Sequence, residues 1–363
     1  MGFASAAITD ISQKVAQGER IDAEDARFLW QNATDEEMRD LASRVRARFH
    51  APHACTYLIM RIVNYTNVCV AQCDYCAFYR LPGDPEGYVL SQTAVFDKLD
   101  ELLALGGDLA AFNGGFNPHL PLNYYCDLFA AVRDRYGDRL EFYALTVAEF
   151  MYLADHAKID YSTAAERLRQ AGVQWITGGG SEILTENFRA RHSKFKYTVE
   201  QFFQAQRAIV DAGTNTTATM VIGFDETLDE RLEHLERTRR FQDETGGLPS
   251  FLCWTYKPFF TQLGGVEITG DEYLRHLALC RIYLDNIPRI RTSVLTQNER
   301  ALEGLKYGAD DFDLPIEDEV TQKAGATISL EFDRILDVAR RLGFEPHYRR
   351  VAAQSRVSGA PTQ

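Results

Sequence analysis

Several features that would place a protein in a broad class are missing from this sequence. No apolar run reaches the ~18 residues of a membrane-spanning helix, so no membrane span is predicted. The first residues lack the charged and apolar regions of a secretory signal. The 39 basic residues are outnumbered by 52 acidic ones, which gives a net charge of −13. This charge argues against nucleic acid as a partner, because such binding depends on neutralising phosphates.

Common catalytic motifs are also absent. The eight histidines form no His-Glu-x-x-His pair, so a zinc-protease helix is not predicted. No Gly-x-Ser-x-Gly occurs, which leaves a hydrolase nucleophile elbow without support. The run Gly178-Gly179-Gly180 lacks the Gly-Lys-Ser/Thr ending of a phosphate-binding loop. We interpret it as a crowded strand end that makes room for a ligand.

Cysteine is scarce, with seven residues in 363. This number argues for a reducing cytoplasm and not for a disulfide framework. Three of the seven lie close together, because Cys69, Cys73 and Cys76 form a Cys-x3-Cys-x2-Cys run. Three thiolates on one loop can bind three irons of an iron–sulfur cube. The next cysteine is Cys126, so one iron would lack a protein ligand and would be open to a small molecule.

Two other interpretations of the three cysteines remain open. A structural zinc site has four ligands, typically in two separated pairs, and no histidine or further cysteine follows nearby. Buried cysteines that act as small hydrophobes are the second alternative, but Gln72 and Asp74 between them fit it poorly. The spacing therefore favours the cluster.

Apolar runs of strand length alternate with helical patterns from Cys55 onward. The predicted strands are residues 56–64, 109–112, 140–146, 173–177, 216–222, 250–256 and 290–296, with a weaker eighth at 311–316. Continuous βα alternation predicts an α/β fold with a parallel sheet, and this number of units favours a closed or nearly closed TIM-type (β/α) barrel. We expect a helical segment over residues 1–50, the barrel over 51–350 and a flexible tail over 351–363. Thr34 with Glu37 and Thr198 with Gln201 have the spacing of capping boxes, and each predicts the start of a helix.

Several candidate ligand-binding residues directly follow predicted strands, whose carboxyl ends form the active face of such a barrel. These are the cysteine loop, Asn113, Gly114, Gly115, Thr146, residues 178–182 and Gly223. A glycine pair lets the backbone approach a ligand closely, although an ordinary turn is the alternative. Glu182 is a candidate acceptor for a ribose diol, or else a solvated carboxylate.

Two further groups of polar residues lie near the ends of predicted elements. The third strand ends with Tyr143, Thr146 and Glu149, of which only some can face inward. The helix predicted over 271–283 is followed closely by Asp285 and Asn286 and contains Arg281. An arginine at that place can clamp a substrate carboxylate bidentately, but a structural Arg281–Asp285 pair explains it equally well.

The cysteine run, with Tyr75 directly before its third cysteine, resembles the signature of the radical S-adenosylmethionine (SAM) enzymes. The resemblance implies a [4Fe–4S] cluster whose open iron binds SAM and cleaves it to a 5′-deoxyadenosyl radical. It places Tyr75 near the adenine and the Gly114-Gly115 backbone at the methionyl amine. The other implied cofactor contacts are Asn113, Thr146, Glu182 and Gly223.

Further segments resemble the menaquinone-pathway enzymes that act on futalosine derivatives, with the best match to the cyclic dehypoxanthinyl futalosine synthase family. They are NYTNVC (64–69), CAFYR (76–80), EGYVLS (86–91), GGGSEIL (178–184), TATMVIGFDET (217–227), QDETGG (242–247), LDNI (284–287) and LTQ (295–297). The resemblance implies hydrogen abstraction from ribose C4′ of dehypoxanthinyl futalosine and ring closure onto its benzoate, with flavodoxin or ferredoxin as electron donor. The candidate proton acceptors are Glu182, Glu149 and Tyr143, and the candidate benzoate contacts are Arg281, Asp285 and Asn286.

The chain departs from that family's pattern at four positions near the predicted barrel mouth. Asn113 stands in place of glutamine, Tyr143 of histidine, Val294 of tryptophan and Asn298 of glycine. The sister enzymes aminofutalosine synthase and the deazaflavin (FO) synthase subunits therefore remain alternatives. A non-catalytic iron–sulfur electron carrier or sensor is a further one, which the long barrel and the open iron disfavour.

The cluster assignment predicts about four iron and four sulfide per chain in anaerobically reconstituted protein. Replacing Cys69, Cys73 or Cys76 by alanine should remove the cluster, because each thiolate binds one iron. Cys126→Ala and Cys253→Ala serve as controls and should keep it. Iron and sulfide analysis checks this, and a full cluster in Cys73→Ala would contradict the assignment.

Overall fold

The computed structural model describes residues 2–194 and 197–350. Within them the strands are β1 (Ala54–Val63), β2 (Leu109–Phe112), β3 (Glu141–Thr146), β4 (Trp175–Thr177), β5 (Asn215–Thr216), β6 (Ala218–Ile222), β7 (Ser250–Thr255), β8 (Arg289–Thr292), β9 (Asp311–Pro315) and β10 (Glu345–Tyr348). The α-helices are α1 (Gly2–Gln17), α2 (Ala23–Asn32), α3 (Asp35–Arg46), α4 (Gln92–Ala104), α5 (Leu122–Tyr136), α6 (Val147–Ala157), α7 (Tyr161–Gln170), α8 (Glu186–His192), α9 (Val199–Asp211), α10 (Leu228–Thr245), α11 (Gly270–Tyr283), α12 (Val294–Gln297), α13 (Glu319–Lys323) and α14 (Phe332–Arg341). Two 3-10 helices cover Gly137–Arg139 and Asn298–Tyr307.

The strands form one parallel sheet in the order β5-β4-β3-β2-β1-β9-β8-β7-β6, and β10 is a third, short partner of β1 beside β2 and β9. The two ends of this order, β5 and β6, are separated in sequence only by Thr217. One stretch of chain therefore pairs with β4 through its first part and with β7 through its second part. The sheet closes almost completely on itself, which confirms the predicted barrel.

The inside of the barrel is filled by side chains that alternate along the strands. On β1, Leu58, Met60 and Ile62 are buried at two-residue spacing, as expected for one face of a strand. They form one apolar cluster with Leu109, Ala111, Tyr143, Trp175 and Leu295. The opposite faces of the strands pack against the surrounding helices, so the layer of side chains inside the barrel is distinct from the outer core.

Three helices, α1 to α3, precede β1 in the described part of the chain. The Thr34 hydroxyl accepts from the backbone N–H of Glu37, and Thr198 accepts in the same way from Gln201, so both predicted capping boxes are confirmed. None of the helices in the described parts of the chain has both the length and the apolar character needed to cross a membrane. The predicted flexible tail, residues 351–363, lies outside the described residues.

The strand predicted over 290–296 is wrong in its second half. The strand β8 ends at Thr292, and Ser293 then caps α12 by accepting a hydrogen bond from the Thr296 N–H at 3.3 Å. The apolar residues of 293–296 suit a buried helix as well as a strand, and the periodicity of so short a run does not distinguish the two structures. Helix α6 and strand β10 were not predicted.

Arg281 lies at the opposite end of the barrel from the cysteines, which corrects its predicted role in substrate binding. The side chain is 0% exposed and pairs with Asp310. Its Nε donates to the Gly308 carbonyl at 3.0 Å and its Nη1 to the Ile287 carbonyl at 3.0 Å. These acceptors precede β8 and β9, at the amino ends of the strands, whereas the cysteine loop follows the carboxyl end of β1.

The other two residues predicted to contact substrate lie at the same closed end. Asp285 pairs with Arg20 at 3.2 Å, and the Asn286 amide donates to the Arg239 carbonyl at 2.9 Å. The predicted Arg281–Asp285 pair does not form, because Arg281 pairs with Asp310 instead. These residues hold helix ends together and are far along the barrel axis from the mouth.

The Arg281–Asp310 pair is therefore expected to support the fold. Arg281→Met should lower the free energy of unfolding by about 3–5 kcal/mol, since it leaves a buried carboxylate without its main partner. Arg44→Met is the matched control, because Arg44 pairs with Asp40 on the exposed side of a helix and such pairs contribute little. Urea unfolding measures both variants, and equal effects would contradict the assignment.

Candidate active site

A cavity of about 290 Å³ opens inside the barrel at the carboxyl ends of the strands. Its lining includes most of the residues singled out in the sequence, namely Cys69, Cys73, Cys76, Tyr75, Asn113, Gly114, Gly115, Tyr143, Thr146, Glu149 and Glu182. Gly223 is not among the lining residues, although its neighbours Val221 and Phe224 are. Arg281, Asp285 and Asn286 do not line it either. One pocket thus brings together eleven of the predicted positions.

The cysteine loop is held to the barrel mouth by backbone hydrogen bonds. The Cys69 N–H donates to the Arg80 carbonyl at 2.9 Å, and the Val70 N–H donates to the Phe116 carbonyl at 3.1 Å. The Ala71 N–H lies 3.4 Å from the sulfur of Cys69, where it stabilises a thiolate. These contacts fix the loop next to the segment that follows β2.

The donor set of this loop fits an iron–sulfur cluster. All seven cysteines lie in the described residues and none is in a disulfide, and the other four do not line the cavity. In the described residues, no three His, Cys, Asp or Glu side chains are arranged to ligate a single metal ion. Burial, and then the neighbouring Cys73, raises the pKa of Cys76 to about 12. A bound cation reverses that effect, since metal coordination deprotonates a thiol.

The Gly114-Gly115 pair passes very close to the loop and to β1. A Cβ on Gly114 would lie 2.6 Å from the ring of Tyr65, and a Cβ on Gly115 would overlap the Val68 carbonyl oxygen and Cys69. Both N–H groups donate within the protein, Gly114 to Glu149 at 2.8 Å and Gly115 to the Thr66 carbonyl at 3.0 Å. The glycines are therefore required for close packing of backbone against the cysteine loop.

Glu149 connects this glycine pair to β3. One carboxylate oxygen accepts from Tyr65 and from the Gly114 N–H, and the other accepts from the Thr146 N–H and hydroxyl, at 3.0 and 2.7 Å. The side chain is only 3% exposed. Burial raises the pKa of Glu149 despite these donors. All four hydrogen bonds are internal to the protein, so Glu149 holds the glycine pair in position.

Tyr75 and Glu182 face each other across the mouth of the cavity. The Tyr75 hydroxyl lies 3.0 Å from the Ser193 hydroxyl, and its ring centre is 5.3 Å from that of Phe224. Glu182 adopts a φ of 40°, which is uncommon for a residue other than glycine, and its carbonyl accepts from the Val221 N–H at 3.1 Å. The hydrogen bond from β6 therefore fixes the backbone of Glu182 in the loop after β4.

Several residues of the site were not identified in the sequence. His192 connects two loops, since its ring nitrogens lie 3.0 Å from Asp74 and 2.7 Å from Asp225. The cavity is also lined by two buried cations, Lys257 and Arg291. Arg291 alternates with the outward-facing Ile290 on β8, so the two-residue period of that strand was a signal for it.

Replacing the Glu149 carboxylate by an amide tests its positioning role. Glu149→Gln should lower the free energy of unfolding by about 1–3 kcal/mol, because the new NH2 group meets N–H and O–H donors that have lost their acceptor. The amide of Gly114 should also exchange hydrogen faster. Glu166→Gln, on the surface of α7, is the control. Hydrogen exchange measured by mass spectrometry checks this, and unchanged protection at Gly114 would refute it.

Comparison with known proteins places the chain among characterised families. Residues 63–238 match the radical SAM superfamily, and residues 245–360 match the CofH/MqnC C-terminal region. A cyclic dehypoxanthine futalosine synthase of Halalkalibacterium halodurans is 36% identical over 94% of this chain and 93% of its own length. An aminodeoxyfutalosine synthase of Thermus thermophilus is 33% identical over 98% of this chain and 99% of its own length.

The fold is shared with solved structures of much lower sequence identity. The crystal structure of methylornithine synthase (PylB) has a TM-score of 0.71 at 14% identity and covers 93% of this chain and 97% of that one. Its similarity shows the architecture alone. The matches in sequence assign the family. The chain belongs to the radical SAM superfamily, which uses a [4Fe–4S] cluster and SAM, and within it to the branch that includes the cyclic dehypoxanthine futalosine synthases.

Proposed function

We propose that this protein cyclises dehypoxanthinyl futalosine to cyclic dehypoxanthinyl futalosine in the futalosine pathway of menaquinone biosynthesis. The observation that carries the proposal is the 36% identity, over nearly the whole chain, to a protein named for that reaction. The cavity, with the cysteine loop in its lining and apolar strands behind it, supports the proposal.

Cys69, Cys73 and Cys76 are the proposed ligands of the cluster, since thiolates are the usual protein ligands of such groups. When bound, the cluster and SAM supply a radical that takes a hydrogen atom from a carbon of the substrate. The Gly114 and Gly115 N–H groups are used internally, and no described residue donates to their carbonyls. Those carbonyls suit the ammonium group of SAM, which is a donor.

The remaining residues proposed at the cofactor have different roles. Tyr75 supplies an aromatic face for the adenine, and Asn113 lines the cavity next to the glycine pair. The Thr146 hydroxyl already caps α6, so Thr146 contributes more to the shape of the cavity than to hydrogen bonds with the cofactor. Glu182 is the proposed acceptor of hydrogen bonds from the ribose hydroxyls, or of the proton released in the reaction. Glu149 suits that proton less well, because its oxygens already accept four hydrogen bonds.

The barrel's own contribution is to hold the substrate carbon against the cofactor and to exclude water. Positioning of reactants supplies a large part of the rate in such reactions, and a dry cavity prevents side reactions. Met60, Leu252 and Leu295 line the inner part of the cavity and are apolar. Burial raises the pKa of Tyr143, so its hydroxyl stays protonated and acts as a hydrogen-bond donor.

We propose two further properties that rest on the same assignment. The enzyme works in the cytoplasm, which the reduced cysteines of the proposed cluster require. It receives its electron from a small redox protein such as flavodoxin or ferredoxin. Both properties follow from the chemistry of the cluster.

The proposed reaction is tested with reconstituted protein under anaerobic conditions, with SAM, a reductant and one candidate substrate at a time. The expected product from dehypoxanthinyl futalosine has two hydrogens fewer than the substrate, together with 5′-deoxyadenosine and methionine. Mass spectrometry identifies each product, and Cys73→Ala is the control without a cluster.

Other outcomes would assign a different activity. Formation of aminofutalosine from an external alkene would support the activity for which the Thermus thermophilus relative is named. Joining of tyrosine to a ribitylaminouracil would indicate a deazaflavin synthase activity. Absence of 5′-deoxyadenosine with every substrate would contradict an enzymatic role.

A further inference from the structure

Arg291 is a buried cation inside the barrel, well away from the cysteine loop in sequence. It lies on β8, where it pairs in register with Leu252 of β7 and Asp311 of β9. The residue is 4% exposed and lines the cavity. A buried charge at such a place requires partners that compensate for the loss of water.

The protein itself satisfies only part of the Arg291 guanidinium. Its Nε donates to Asp311 at 2.9 Å. Neither terminal nitrogen has a hydrogen-bond acceptor within the described parts of the chain. The guanidinium thus presents the cavity with the two-nitrogen edge that binds a carboxylate bidentately.

Asp311 does not fully neutralise Arg291, because it serves a second arginine. The Arg349 Nη2 donates to Asp311 at 2.6 Å, and the Thr56 hydroxyl donates to it at 2.6 Å. Burial opposes ionisation of Asp311, but Arg349 and then Arg291 outweigh it and hold its pKa well below the usual value. Asp313, a second buried carboxylate, also acts on Arg291 electrostatically, but neither carboxylate accepts a hydrogen bond from its terminal nitrogens within the described residues.

The surroundings of Arg291 add an aromatic surface and a second donor. Tyr143 also lines the cavity, and its ring centre is 5.2 Å from that of Trp175. Its hydroxyl has no hydrogen-bond partner among residues 2–194 and 197–350. A flat aromatic acid would place its ring against Tyr143 and its carboxylate near both donors.

Arg281, which was expected from the sequence, and Lys257, a second cation that lines the cavity, do not offer the same site. Arg281 uses three carbonyls and Asp310 at the closed end of the barrel. Lys257 lies 2.6 Å from Glu267, which neutralises its charge. Arg291 is thus the cation whose donors are directed into the cavity without protein acceptors.

We infer that Arg291, assisted by the Tyr143 hydroxyl, binds the carboxylate of an aromatic acid at the inner end of the cavity. This inference rests on the proposed function and specifies how the benzoate of its substrate is held. It also replaces Arg281, which was the arginine expected from sequence. The carboxylate would be anchored at one end of the cavity while the ribose faces the cysteine loop at the other.

The test compares two ligands and several variants of the reconstituted holoenzyme in the presence of SAM and without reductant, so that no turnover occurs. The ligands are dehypoxanthinyl futalosine and its carboxamide analogue, whose Kd values are measured by anaerobic calorimetry. The wild type should bind the carboxylate about 10- to 100-fold more tightly than the carboxamide, the range for hydrogen bonds to a charged group. Arg291→Gln should bring this ratio close to one.

Two further variants make the result specific to the geometry. Arg291→Lys should recover only part of the ratio, because an ammonium group lacks the planar two-nitrogen edge. Tyr143→Phe should lower the preference for the carboxylate ligand several-fold. It should also keep the fold, because the Tyr143 hydroxyl has no protein partner to lose. This variant therefore gives a result even if Arg291→Gln is unstable. Lys257→Gln is the control for general loss of a cavity cation and should leave the ratio unchanged.

The failure of this inference differs from the failure of the proposed function. A wild type that cyclises the substrate, with folded Arg291→Gln and Tyr143→Phe variants that keep the full carboxylate preference, would overturn the inference alone. An equal effect of Lys257→Gln would overturn it as well, because the preference would then reflect overall charge. A wild type that neither binds nor converts the substrate would overturn both.

Discussion

The parallel pairing of β1 with β2 and β9 is the constraint on which the rest of the site depends. It fixes the direction in which β1 ends, and the cysteine loop begins directly beyond that end. Because the neighbouring strands run the same way, the loops after β2, β3 and β4 reach the same edge of the barrel. The glycine pair after β2 then packs against the cysteine loop so closely that a methyl group would not fit. Glu149 connects this contact to β3 through four hydrogen bonds.

The buried arginines of the barrel illustrate two uses of the same side chain. At the closed end, Arg281 is surrounded by carbonyl acceptors and a carboxylate, and all of its donating edges are occupied by protein. Inside the cavity, the Arg291 Nε donates to Asp311, which also accepts from Arg349, and no described residue accepts from its terminal nitrogens. The first arrangement stabilises helix and strand ends. The second retains binding capacity for an anionic group, so the completeness of pairing distinguishes a structural arginine from a binding one.

Much of the architecture was predictable because its signals are local. The capping boxes at Thr34 and Thr198 and the alternation of strands and helices depend on residues close together in sequence, and the structure confirms them. The cysteine loop and its glycine partner follow strand ends, so barrel topology alone brings them together. Arg281 was misplaced although the same topology excludes it from the mouth, because each helix runs back along the barrel and ends near the amino end of the next strand. Val294 was assigned to a strand because the short apolar run around it suits a buried strand as well as a helix. The helix cap at Ser293 was not recognised in the sequence. Arg291 was missed because its importance depends on partners from β7, β9 and the chain after β10.

The proposed reaction brings the ribose of the substrate to the cofactor at the barrel mouth, so that the C4′ hydrogen moves to the 5′ carbon of the adenosyl group. The most direct test is turnover of dehypoxanthinyl futalosine that carries deuterium at C4′, followed by mass analysis of the 5′-deoxyadenosine formed. We expect 5′-deoxyadenosine that is heavier by one deuterium and cyclised product without that label. Unlabelled 5′-deoxyadenosine formed in step with cyclised product would contradict the proposed reaction.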